Sequence, residues 1–193
     1  MPKNIENVKE DILLVTRELL KETGYTELNI RKIASTCGIA TGTLYNYYSS
    51  KNEIISEILQ SDWNLMLRRI DHCLRTPVTS IEKLNVIYTQ LQIFMNSIHG
   101  RWFQTYPANT SDIEFHQIKE RKVCLRQQLI DRISQIVDGG KDIALCEIIA
   151  RLLLSYSFDS EHSFSEISPS LEVLLNSKPK NDKKETVYAA NRF

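Results

Sequence analysis

Backbone breakers are scarce in this chain, with 6 glycines and 5 prolines among 193 residues. No run alternates apolar and polar residues for long enough to read as a half-buried strand, so the scarcity of turn residues argues against a β fold. Cysteine is sparse as well. Cys37, Cys73, Cys124 and Cys146 are widely separated with no CxxC pair, which argues against a disulfide framework and against cysteine ligation of zinc; isolated cysteines on apolar helical patterns are small core residues. The histidines, His72, His99, His116 and His162, lack metal-ligand spacing, and no carboxylate pair or set of nucleophile, base and acid stands out. Neither an enzyme nor a cofactor is expected. The N-terminus has no apolar signal segment and no stretch is long enough to span a bilayer, so the expected location is the cytoplasm. Net charge is also absent, since 24 Lys and Arg balance 24 Asp and Glu.

What the chain does have is helical periodicity, 42% apolar content and loops marked by Pro77, Gly100, Pro107 and Asp138-Gly139-Gly140. These predict an all-α protein. Residues 28 to 51, LNIRKIASTCGIATGTLYNYYSSK, hold two short helical patterns joined at Gly38. In the first, Leu28, Ile30, Ile33 and Ala34 recur at helical spacing, and Asn29 can cap the helix by accepting from a free backbone N–H. In the second, a turn of about 100° per residue gathers Leu44, Tyr45 and Tyr48 on one side and Gly42, Thr43, Asn46 and Tyr47 on the other. The first side packs; the second is small and polar enough to approach a base edge, with Gly42 permitting close backbone contact and Thr43 and Asn46 offering hydrogen bonds. From Leu28 through Asn52 the charged residues are Arg31, Lys32 and Lys51, a local +3 in a chain that sums to zero. Phosphate is welcome there, and Lys51, with the free N–H groups opening the next helix, suits a phosphate oxygen.

The segment GIATGTLYNYYSSKNEI resembles the DNA-binding signature of tetracycline-repressor (TetR) type transcriptional regulators. The resemblance covers about the first 60 residues, including the preceding helix with Ile12, Leu13, Val15, Leu19 and Leu20, the Gly24-Tyr25 break, and the Ile33-Ala34 pair. Beyond these it is architectural. It implies that Thr41, Gly42, Thr43, Tyr45 and Asn46 lie in or beside the major groove and that Tyr47 and Lys51 hold phosphates. Arg31 is a further candidate for a base contact, and Asn29 is a candidate for the DNA-facing set. The sequence departs from the family at two places: Ala40 stands where a capping Ser is common, and Thr41 where a Lys is common. Thr41 is a candidate replacement cap, which would spend its hydroxyl internally. Tyr45 is ambiguous, inward on the helical wheel and at the DNA edge by resemblance.

After this head, a helix over residues 52 to 75 turns Ile54, Ile58 and Leu59 back and Trp63, Met66, Leu67 and Ile70 onward, a mechanical link. Further helices are expected at 80 to 98, 111 to 138, 141 to 157 and 163 to 176. The last two carry more apolar surface than a terminal hairpin needs. Either they close the monomer's core or two copies pair through a four-helix bundle, as the resemblance implies; a homodimer would set two heads about 34–36 Å apart on a near-palindromic operator. Trp63, Met66, Tyr88, Phe94, Met95, Trp102, Phe103, Tyr106, Phe115 and His116 are candidate lining for an effector pocket, or plain core. The patch from His99 to Pro107 reads as a connection whose aromatics fill a gap, or as a pocket lid in which Arg101 with His99 or His116 selects an anion.

The expected division is a DNA-binding domain at 1–50, a helical effector-binding and dimerisation domain at 51–176, and a polar tail at 177–193. Three functions compete: a ligand-responsive repressor acting on double-stranded DNA, an architectural DNA binder with little sequence preference, and a helical enzyme with a borrowed head. The first leads, because zero net charge disfavours coating of DNA and no substrate site stands out.

Overall fold

A computed structural model describes residues 7–97, 112–137, 142–158 and 162–177, with the backbone alone for 112–122. Eight helices lie among the described residues: α1 (Val8–Glu27), α2 (Ile30–Cys37), α3 (Thr41–Tyr45), α4 (Lys51–Leu74), α5 (Ser80–Asn96), α6 (Asp112–Ile133), α7 (Ile143–Ser157) and α8 (Phe164–Asn176). The all-α expectation holds, and α4, α5, α7 and α8 fall close to their expected spans.

Local chemistry sets most of the helix ends. Gly24 interrupts α1 with φ of 74°, a left-handed conformation that glycine adopts without a Cβ penalty. The Asn29 side chain caps α2 by accepting from Lys32 N at 2.9 Å. At its other end Gly38, with φ of 70°, donates to Ser35 O at 3.1 Å while Ile39 donates to Ala34 O at 3.0 Å, the paired bonds of a Schellman stop. Ser50 caps α4 by accepting from Glu53 N, and the Glu53 carboxylate accepts from Ser49 N at 2.6 Å. Thr79 and Glu82 form a reciprocal capping box at the start of α5. The helix α6 stops at Ile133, short of the expected Asp138. Beyond it Gln135 N and Ile136 N bond three residues back, and the Ser134 and Gln135 side chains both claim the Asp131 carbonyl, which tightens the chain out of α geometry.

Helices α1, α2 and α3 pack in succession, and α4 packs on α1 at one end and on α5 and α6 further along. Its buried residues divide accordingly: Ile54, Ile55, Ile58 and Leu59 come first, then Trp63, Met66, Leu67 and Ile70. Two paired-oxygen salt bridges fasten this rod. Arg17 of α1 donates through both terminal nitrogens to Asp62 at 2.5 Å, and Arg132 of α6 holds Asp71 at 2.8 and 2.9 Å. The core of the body lies among α4, α5, α6 and α7, with Ile167 and Leu171 of α8 closing onto α5.

Candidate nucleic-acid interface

A five-residue helix is far below the length at which helices persist alone, so α3 depends on its anchors. Leu44 is fully buried and Tyr48 is 2% exposed, and the two side chains pin α3 to the head. Burial of a leucine side chain is worth about 1.5–3 kcal/mol. Thr43 N and Leu44 N donate to Ala40 O at 2.9 and 3.2 Å, and Tyr48 N donates to Leu44 O at 3.0 Å, so the segment winds as one short rod from Ala40 to Tyr48. The Tyr48 hydroxyl donates to Glu57 of α4 at 3.1 Å, and Lys9 of α1 reaches the same carboxylate at 2.8 Å. Burial first, and then the Glu57 carboxylate, push the Tyr48 hydroxyl far above its usual range, so it stays a proton donor.

The outward face carries the polar set. Gly42, Asn46 and Tyr47 are exposed and Thr41 and Thr43 half-buried, so none of the five is sealed inside. A Cβ built on Gly42 meets nothing within 4 Å, which shows that internal packing does not demand glycine at this position. Two ambiguities resolve. Tyr45 is 55% exposed, correcting the inward placement from the wheel; the contact of α3 is only two side chains wide, and Tyr45, about 100° round from Leu44, falls outside it. Thr41 does not cap the helix. Ala40 occupies the cap position with no side-chain hydrogen bond, and Thr41 is the first helical residue.

On α2, Arg31 is exposed and Lys32 half-buried. Asn29 is exposed, but its carbonyl oxygen is committed to the cap on Lys32 N and its amide points to Glu27 O at 3.5 Å. Lys51, expected at a phosphate, donates to Tyr25 O at 3.1 Å and Leu28 O at 2.9 Å and lies 4.2 Å from the centre of the Tyr25 ring. The sequence marks Tyr25 only as part of the Gly24-Tyr25 break and gives Asn52 no role, although the Tyr25 hydroxyl donates to Asn52 Oδ1 at 2.7 Å. No local pattern announces a bond across 27 positions.

Of the residues considered for an effector pocket, Trp63, Met66, Tyr88, Phe94 and Met95 are buried in the body. Trp63 and Phe94 meet edge to face at 5.2 Å, the Trp63 N–H donates to Gln128 at 3.0 Å, and the Tyr88 hydroxyl donates to the His162 carbonyl at 2.7 Å. Gln128 is the polar group the sequence reading missed; its place one residue before Leu129 on α6 was the available signal. Trp102, Phe103 and Tyr106, the rest of the patch from His99 to Pro107, and the side chains of Phe115 and His116 lie outside the described residues, as do Asp138-Gly139-Gly140 and the tail after Ser177. Among the described residues no group of His, Cys, Asp and Glu gathers to hold a metal, and no helix is long and apolar enough to cross a membrane.

A short rod with a polar, sterically open outer face, held behind a capped helix and backed by a long linking helix, defines a helix-turn-helix protein of the DNA-binding class. Residues 12–58 match the family described as bacterial regulatory proteins, tetR family. The chain is 22% identical over 142 residues, 72% of its length and 69% of the other's, to the HTH-type transcriptional repressor KstR2 of Mycolicibacterium smegmatis. It is 27% identical over 73 residues, 38% of each chain, to the fatty acid metabolism regulator protein of Bacillus subtilis. The crystal structure of the transcriptional regulator FadR from Bacillus subtilis in complex with stearoyl-CoA superposes with a TM-score of 0.61 at 19% identity, covering 86% of this chain and 97% of that one. Residues 12–58 are thus a DNA-binding domain of the tetR family, and the chain is a DNA-binding transcriptional regulator.

Proposed function

We propose that the chain is a ligand-responsive repressor that binds a near-palindromic operator as a homodimer and performs no catalysis. The observation that carries the reading is the division of the rod from Ala40 to Tyr48 into a buried side, Leu44 and Tyr48, and an open side, Gly42, Asn46, Tyr45 and Tyr47 with the half-buried Thr41 and Thr43. In this reading Thr43 and Asn46 meet base edges, Gly42 admits the backbone, Tyr47 meets a phosphate, and Arg31 reaches a base from α2. Asn29 serves the interface by capping α2.

The proposed organisation is a head at 1–50, a body at 51–176 and a tail at 177–193. Pairing through α7 and α8 is supported by Ile143 and Val173, which are 67% and 71% exposed, and by the exposed Ile148. One short helix reads too few bases for selectivity, and pairing doubles the readout. The apolar cluster around Trp63 and Phe94 supports an effector with a large apolar portion, which would act by preferring a form of the dimer whose heads are misplaced.

The test is selection of duplexes from a random pool by the purified protein, with mass measured in solution. The expected result is a two-half-site consensus whose binding survives competitor DNA, and a dimer that Ile143→Glu with Val173→Glu converts to monomer. Recovery of no consensus, with affinity that collapses as salt rises, would show an architectural binder instead.

A further inference from the structure

The joint between α1 and α2 runs from Gly24 to Asn29. Gly24 breaks α1 with a left-handed φ of 74°, and the chain after it runs through Tyr25 to the extended Leu28. The Lys51 ammonium lies between two carbonyls of this stretch, 3.1 Å from Tyr25 O and 2.9 Å from Leu28 O, with its cation 4.2 Å from the centre of the Tyr25 ring. One residue on, Asn52 accepts from the Tyr25 hydroxyl at 2.7 Å. The first turn of α4 thus grips the joint by the two carbonyls, the ring and the hydroxyl. Leu28, at the far end of this grip, is fully buried and leads directly into Asn29 and the start of α2 at Ile30.

We propose that Lys51 is a positioning residue: its ammonium clamps the α1–α2 joint to α4 and so fixes where α2 presents Arg31 beside α3, in place of the phosphate contact that its position in the signature suggests. This rests on the reading that the head binds DNA through α2 and α3. Charged N–H donors make stronger bonds to carbonyls than neutral ones, and a cation at the end of a helix meets the negative end of its dipole. A partly desolvated cation over an aromatic face adds to both. To meet a phosphate with more than its one remaining N–H, Lys51 would have to leave these carbonyls, and the last turn of α1 would lose this charged partner. Burial lowers the Lys51 pKa from its usual value, in keeping with a group drawn into the joint.

Lys51→Met keeps the stem and removes the cation, and Lys51→Arg restores donors. In the free protein, hydrogen exchange of the amides from 26 to 32 is expected to quicken on the order of tenfold in Lys51→Met and to return toward wild type in Lys51→Arg. On the duplex that the wild-type protein selects from a random pool, the slope of log Kd against log salt is expected to stay unchanged in Lys51→Met. The ratio of affinities for the selected and a scrambled duplex is expected to fall on the order of tenfold, about one misplaced base contact. General loss of folding would lower both affinities together and leave that ratio alone. Unchanged exchange overturns the proposal. So does a salt slope flattened by about 0.9 with equal loss on every duplex, the signature of a lost phosphate contact. Failure of the wild-type protein to bind any duplex would sink the DNA reading and the presentation role with it, and the exchange result would still report whether the joint is clamped.

Discussion

Substituting Gly42 by alanine should push stability and DNA binding in opposite directions. Gly42 is the second residue of α3, it is exposed, and the glycines with positive φ among the described residues are Gly24 and Gly38, so its backbone is one that alanine adopts freely. The new Cβ would meet nothing within 4 Å. Alanine therefore gains its helix propensity over glycine without steric cost, about 0.5–1 kcal/mol, and for a chain of this size thermal unfolding should rise by roughly 1–4 °C. The same methyl projects from the face that, in the proposed reading, approaches a base edge. Overfilling a close contact costs about 1–3 kcal/mol, roughly 5- to 150-fold in Kd. Circular dichroism melting of the free protein and fluorescence anisotropy on the selected duplex measure the two effects separately. A variant that is stabilised and binds as tightly as wild type would falsify the close approach of α3, and a variant that melts lower would contradict the helical backbone at Gly42.

Other perturbations probe separate parts of the argument. Arg31→Ala should cost about 1–3 kcal/mol on the preferred duplex and much less on scrambled DNA, as measured by paired titrations; equal losses on both would make Arg31 a phosphate contact. Thr16 is fully buried in α1 and its hydroxyl has no hydrogen-bond partner, so Thr16→Val should raise stability by about 1 kcal/mol, seen as a higher urea midpoint at unchanged slope. The Thr79 hydroxyl and backbone N–H hold the Glu82 carboxyl below its usual range. A lowered carboxyl pKa stabilises the fold above the unfolded value of about 4.3 and loses that contribution as pH falls through the folded value. The melting difference between wild type and Glu82→Ala should therefore be full at neutral pH and shrink as the buffer is taken below about pH 4; a difference that persists undiminished in acid would show that the cap acts through something other than the ionised carboxylate.

Much of the head was legible because its decisive contacts are short. Asn29 reaches Lys32 N three residues on, and Gly38 closes α2 through Ala34 and Ser35. The Ser50 and Glu53 pair acts at the same range and starts α4 at Lys51, one residue before the expected start. Helix spans in the body were legible for a similar reason, since apolar spacing of three and four residues is a property of a single segment. The stop of α6 at Ile133 was missed because Ser134 and Gln135 compete for a carbonyl with the continuing helix, a contest that apolar spacing does not register.

What the sequence determined by itself, then, was the class of fold, the order and approximate reach of the helices, and the short rod with one polar side. Only the tertiary structure decided which way Tyr45 points, that Thr41 leaves the capping place to Ala40, and that Lys51 grips two carbonyls of a joint more than 20 residues away. The physical reason lies in range. Caps and periodicity are settled within one or two turns of backbone, whereas the partner of an ammonium, and the edge of a buried contact, depend on which distant segments the packed core brings alongside.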